Sequence, residues 1–124
     1  MLSIFFCPAT ESVRVRQQTY HVTFRYEYGG NFSNISPEPW MGAYHSSELP
    51  MLMGTSGDFR GPSTPLEAEA SVAFQDAYVV FASDSTVQAL GSTGWMEYTQ
   101  LGADQVREFG VQVPVQDVSL KRLE

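Results

Sequence analysis

The chain has 124 residues, enough for one domain, and its formal net charge is -7. So acidic a chain gains nothing from neutralising phosphates, which argues against a nucleic-acid partner and against an anionic membrane. With 43% hydrophobic and 13% aromatic residues it is expected to fold, and its single cysteine, Cys7, permits no internal disulfide.

No apolar run approaches the ~20 residues a bilayer span needs, so no transmembrane segment is expected. The opening Met1–Phe6 is apolar but too short for a signal h-region, and no basic residue precedes it. Cellular location is therefore left open. No Cys/His cluster has zinc spacing, and Cys7 is expected to be a buried, inert thiol.

The first element is a short helix from Pro8 to about Gln17, with proline suited to its first turn and Ala9, Val13 and Arg16 at helical spacing. Tyr20 to Tyr28 then alternates: Tyr20, Val22, Phe24, Tyr26 and Tyr28 on one face, His21, Thr23, Arg25 and Glu27 on the other. That period predicts a strand with an aromatic inner face, and a solvated His21 on the polar one. Residues 29–47 carry Gly, Asn, Ser and Pro throughout and read as a long loop, of the kind that is commonly functional. Glu48 to Met53 reads as a short packed helix stopped by Gly54.

After a second loop, Thr55 to Ser63, comes the best helix signal in the chain. Thr64-Pro65-Leu66-Glu67 is a capping box with proline at the first position. Leu66, Ala70, Ala73, Ala77 and Phe81, widened by Phe74 and Tyr78, form an apolar stripe that predicts a helix to about Ser83. Gln105 to Phe109 and Val115 to Leu120 read as short strands or extended segments. No internal repeat or linker interrupts the chain.

Chemistry concentrates around His45, which is preceded by Gly42-Ala43-Tyr44 and followed by Ser46-Ser47-Glu48. An imidazole titrates near neutrality and suits proton transfer. Glu48 reads either as an acid supporting the site or as a first-turn carboxylate favoured by the helix dipole. His45 and Glu48 make a weak metal pair, since nothing supplies a third ligand at a readable spacing. Asn31-Phe32-Ser33 and Asn34-Ile35-Ser36 match glycosylation sequons, but turn-forming loop asparagines are the favoured reading. Trp40 and Tyr44 are expected to cover the core rather than to line a pocket.

The run Gly42-Ala43-Tyr44-His45-Ser46-Ser47-Glu48, closing on Met53-Gly54, resembles the histidine loop of type-B carboxylesterases and lipases, the cholinesterase-like branch of the α/β-hydrolases, most of all its fungal members. Phe5-Phe6-Cys7-Pro8-Ala9 resembles the stretch that opens a helix well before the histidine in that family. Phe74-Gln75-Asp76-Ala77, Val80-Phe81-Ala82 and Gly94-Trp95 resemble its last long helix and a later turn. The resemblance thus runs from about Phe5 to the end of the chain.

What the resemblance implies is an α/β fold: residues 1–124 as a partial type-B carboxylesterase domain, the C-terminal fragment of an α/β-hydrolase with a few strands of the central sheet and their packing helices. It implies catalytic His45, supporting Glu48, no metal or organic cofactor, and a small-molecule ester as substrate of the full-length parent. A methionine just before Phe5 then looks like a cut into a longer protein. The family's nucleophile sits in a Gly-x-Ser-x-Gly elbow and the chain order is serine, acid, histidine. No such elbow occurs here. Ser3, Ser12, Ser33 and Ser36 lack its frame, Ser46 and Ser47 lie too close to His45, and Glu11, Glu27 and Glu38 sit in no triad-like setting. The glycine-rich oxyanion loop is missing too. The isolated chain is therefore expected to be inactive and to need the upstream part of the domain. The alternative is a non-catalytic, cholinesterase-like binding module.

Overall fold

A computed structural model describes residues 5–84, 86–99 and 104–122. Met1 to Ile4, and with them Ser3 and most of the apolar opening run, lie outside the described residues.

Helix α1 spans Cys7–Gln18 with a proline in its first turn. It ends in a Schellman motif: Tyr20 N–H donates to Gln17 O at 3.1 Å and His21 N–H to Arg16 O at 2.9 Å. Tyr20 occupies the left-handed position of that motif, at φ 59°. This is why the strand does not begin at Tyr20, as the alternation predicts. The helix end consumes Tyr20 and His21, and β1 is confined to Tyr26–Tyr28. Two further helices stop by the same device with a glycine in the left-handed place. Gly54 closes α2 (Leu49–Leu52) and Gly94 closes α4 (Val87–Ser92).

The long helix α3 spans Pro65–Ser83 and starts as its sequence predicts. Glu67 N–H donates to Thr64 Oγ1 and Thr64 N–H to Glu67 Oε2, both at 3.2 Å. Leu66, Ala70, Ala73, Phe74, Ala77 and Tyr78 face the protein. Phe81 does not: it is 50% exposed, because the stripe drifts off the sheet in the last turn.

Strands β2 (Gln105–Val111) and β3 (Val113–Ser119) form an antiparallel hairpin, and β1 pairs in parallel with β2. The sheet order is β1-β2-β3, a small mixed sheet. Pro114, which cannot donate to a ladder, sits on the edge strand β3, where its loss is tolerated.

Both sheet faces are covered. On one side Phe74 of α3 packs on Tyr26, Tyr28 and Phe109, with ring centroids 5.3, 6.3 and 4.7 Å apart, and Trp95, Phe32 and Ile35 complete that core. On the other side Val13 of α1 packs with Tyr98, Val106, Val118 and Leu120. The second layer also covers part of the face of residues 20–28 expected to be polar, while Phe24, Tyr26 and Tyr28 pack on the α3 side as the alternation predicts. Thr23 and Arg25 are buried beneath α1, whereas Tyr20 is 96% exposed. The Arg25 guanidinium lies over the rings of Phe6 and Tyr98 and donates to Thr10 Oγ1 at 2.7 Å. Cys7, expected to be buried, is exposed at the start of α1. Trp40, expected in the core, is 82% exposed. His21 is exposed, as its place on the polar face predicts.

Candidate functional site

Strand β1 delivers the chain into the loop 29–47, beyond the carboxyl end of a parallel pair. Ligands of open α/β sheets gather at that end. The loop is tied down from within. Phe32 and Ile35 are buried in the α3-side core. Ser36 Oγ donates to Gly42 O at 2.7 Å, Tyr44 Oη to Ile35 O at 3.1 Å, and buried Asn34 donates its amide to Ser56 O at 3.0 Å. Asn34 is thus a structural asparagine, while Asn31 is exposed.

These ties hold a tight turn around His45. Ser47 N–H donates to Tyr44 O at 2.9 Å, and Ser46 adopts φ 70°. A left-handed backbone costs a side-chain-bearing residue roughly 1–2 kcal/mol. Such outliers collect at functional turns. The His45 side chain is exposed and stacks on Phe5, centroids 4.7 Å apart and planes 17° from parallel. Among the described residues no hydrogen bond reaches either ring nitrogen. Among the described residues neither a serine hydroxyl nor a carboxylate hydrogen-bonds to the imidazole.

His45 and Glu48 line one cleft of about 620 Å³, together with Tyr44, Phe5 of the α1 side and residues of β1. Glu48 is the residue before α2 and caps nothing with its side chain. Because α2 has only four residues, its dipole is a small part of the explanation for that carboxylate. Glu48 instead faces the end of β1, where its charge helps hold the phenol protons of Tyr26 and Tyr28. Burial is the main cause of the rise in both phenols. For Tyr26 the contact with Tyr78 comes next, and for Tyr28 the Glu67 carboxylate.

Sequence reading missed three participants. Phe5 covers one face of His45, Glu67 is a fully buried carboxylate as well as a cap, and Tyr28 carries a buried hydroxyl with no partner among the described residues. Glu67 has a local signal as a cap, but none of the three has one for its place at the end of β1. Each becomes visible only when α1, α3 and the loop meet at the end of β1. Among the described residues no group of three His, Cys, Asp or Glu is placed to hold a metal ion, and no helix is long and apolar enough to cross a membrane.

Comparison with known proteins finds this chain similar to a fungal esterase and a fungal lipase. It is 50% identical over 84 residues to the chlorogenic acid esterase of Aspergillus niger, covering 68% of this chain and 16% of that protein. It is 45% identical over 89 residues to secreted lipase 5 of Gibberella zeae, covering 72% of this chain and 16% of that one. The chain therefore spans 16% of the length of these two curated relatives. No family model matches it, and no solved structure matches it.

Proposed function

We propose that this chain is the histidine-bearing, C-terminal portion of a type-B serine carboxylesterase or lipase-like hydrolase with an α/β-hydrolase fold. In the full-length protein the substrate is a small-molecule carboxylic ester. His45 takes the proton of the nucleophilic serine and returns it to the leaving alcohol, and Glu48 supports the site from the start of α2. Serine, triad acid and oxyanion donors belong to the remainder of the domain, and the reaction as read needs no metal or organic cofactor.

The observation that carries this reading is the presentation of His45. Its imidazole is exposed at the mouth of a cleft, on a strained turn beyond the carboxyl end of a parallel strand, with both nitrogens unengaged among the described residues. Its ring rests on Phe5 and leaves both nitrogens open to groups that the rest of the domain would supply. The similarity to an esterase and a lipase supports the same conclusion. The test is a comparison of ester hydrolysis by the 124-residue chain and by the full-length parent, each with and without His45→Ala. The chain should show no turnover that depends on His45, and the parent should lose its activity.

A further inference from the structure

Asn31-Phe32-Ser33 and Asn34-Ile35-Ser36 stand side by side at the start of the histidine loop and share the Asn-x-Ser pattern of N-glycosylation. The pattern alone cannot choose between them. The fold can, because it gives the two asparagines opposite surroundings.

Asn34 is committed to packing. It is 5% exposed, and its Nδ2 donates to Ser56 O at 3.0 Å and to Gly61 O at 3.5 Å, two acceptors for the two hydrogens of the amide. Ser36, which supplies the hydroxyl of the same triplet, is 2% exposed and donates to Gly42 O. Asn31 is not committed. Asn31 and Ser33 are both exposed, on either side of Phe32, which is buried in the α3-side core and anchors the triplet. The Asn31 amide makes one contact, to Pro39 O at 3.5 Å, at the outer limit of a hydrogen bond. An amide that carries a sugar keeps one hydrogen, enough for that contact. Neither Asn31 nor Ser33 lines the cleft of His45, so a glycan on Asn31 replaces no part of its wall.

We infer that Asn31 is the acceptor of an N-linked glycan in the full-length protein and that Asn34 is not. The donor is an oligosaccharide held on a lipid diphosphate. The Asn31 amide nitrogen attacks the anomeric carbon of that sugar. A C–N bond forms, the C–O bond to the diphosphate breaks, the lipid diphosphate leaves with the electron pair, and the amide gives up one proton. Transfer to an exported chain precedes folding, so the fold acts as a filter on its products. A glycan is bulky and belongs at the surface. On Asn34 it would take one of the hydrogens that the loop uses and set a sugar among buried groups. On Asn31 it costs the fold nothing. The inference goes beyond the hydrolase reading and needs only passage through a secretory pathway, which the experiment supplies.

The full-length parent is produced through the secretory pathway of a yeast host and recovered from the medium. A peptide N-glycosidase then removes each N-linked glycan and leaves an aspartate where the modified asparagine stood. Tandem mass spectrometry of the peptide that covers both triplets reads the conversion by position. It should be found at Asn31 in most molecules and at Asn34 in none. Ser33→Ala should abolish it and Ser33→Thr should retain it, with ester hydrolysis unchanged in both. An unmodified Asn31 in the secreted protein would overturn the inference, and so would conversion at Asn34. Conversion at Asn31 without the glycosidase would be plain deamidation and would overturn it as well. An unmodified Asn31 in a parent that His45→Ala silences fells only this inference. A glycan on Asn31 in a parent indifferent to His45→Ala supports it and fells the hydrolase reading instead.

Discussion

Phe74→Ala is the perturbation that most directly probes how the sheet is held under the histidine loop. Phe74 is 1% exposed and touches four rings: Tyr26, Tyr28, Tyr78 and Phe109, at 5.3, 6.3, 5.3 and 4.7 Å between centroids. Truncating a buried phenylalanine costs about 3–5 kcal/mol, from lost transfer energy and the cavity left behind. That is a large share of the ~5–15 kcal/mol that stabilises an ordinary domain. Phe81 lies on the same helix, in the stripe the sequence predicts, but is 50% exposed and outside both cores. Phe81→Ala should change stability by no more than about 0.5 kcal/mol. Urea unfolding followed by the fluorescence of buried Trp95 measures both in dilute protein. A Phe81→Ala cost equal to that of Phe74→Ala would show that the helix faces the sheet differently and would refute the packing described.

Three further outcomes are expected. The Tyr28 phenol is held protonated in the folded chain, by burial first and by Glu67, Glu48 and Tyr44 after it. The unfolded chain loses that proton first, near pH ~10, so the stability Tyr28 contributes is full below that pH and falls above it. The slope is at most about 1.4 kcal/mol per pH unit, and Tyr28→Phe should flatten it in urea midpoints taken on both sides of that pH. Thr64→Ala removes the capping hydroxyl of α3 and should cost about 1 kcal/mol in the same unfolding assay. Tyr20→Gly should instead raise the melting midpoint, by about 1 kcal/mol of stability, because the tyrosine is 96% exposed and pays for a left-handed backbone.

Local chemistry was legible in the sequence, and long-range pairing was not. The capping box at Thr64 and Glu67 located α3 at its first residue, and Gly54 located the end of α2, because caps and stops are settled within a few residues. The strand at Tyr20 to Tyr28 was misjudged in extent because alternation does not reveal that a helix end claims Tyr20 and His21. Its aromatic face packs inward as the alternation predicts, but Thr23 and Arg25 on the opposite face are not solvated, because α1 packs over them from elsewhere in the sequence. Cys7 and Trp40 were placed inside on the habits of their residue types, and the structure exposes both. At the candidate site, the flanking residues single out His45 and Glu48, and the structure puts the two in one cleft. Phe5, Tyr28 and Glu67 join them only through tertiary contact.

The most direct test of the central claim is hydrolysis of a simple activated ester by this chain and by its full-length parent, each against its own His45→Ala version. A histidine base acts only with a serine hydroxyl within ~2.6–3.2 Å and a carboxylate orienting its other nitrogen. Among the described residues His45 has neither. The 124-residue chain should therefore match its His45→Ala version and not exceed free imidazole in the same buffer. In the parent the same substitution should lower kcat by several powers of ten, about 10⁶ in a comparable hydrolytic triad. Saturable turnover by the 124-residue chain that vanishes with His45→Ala, or a parent indifferent to that substitution, would contradict the account.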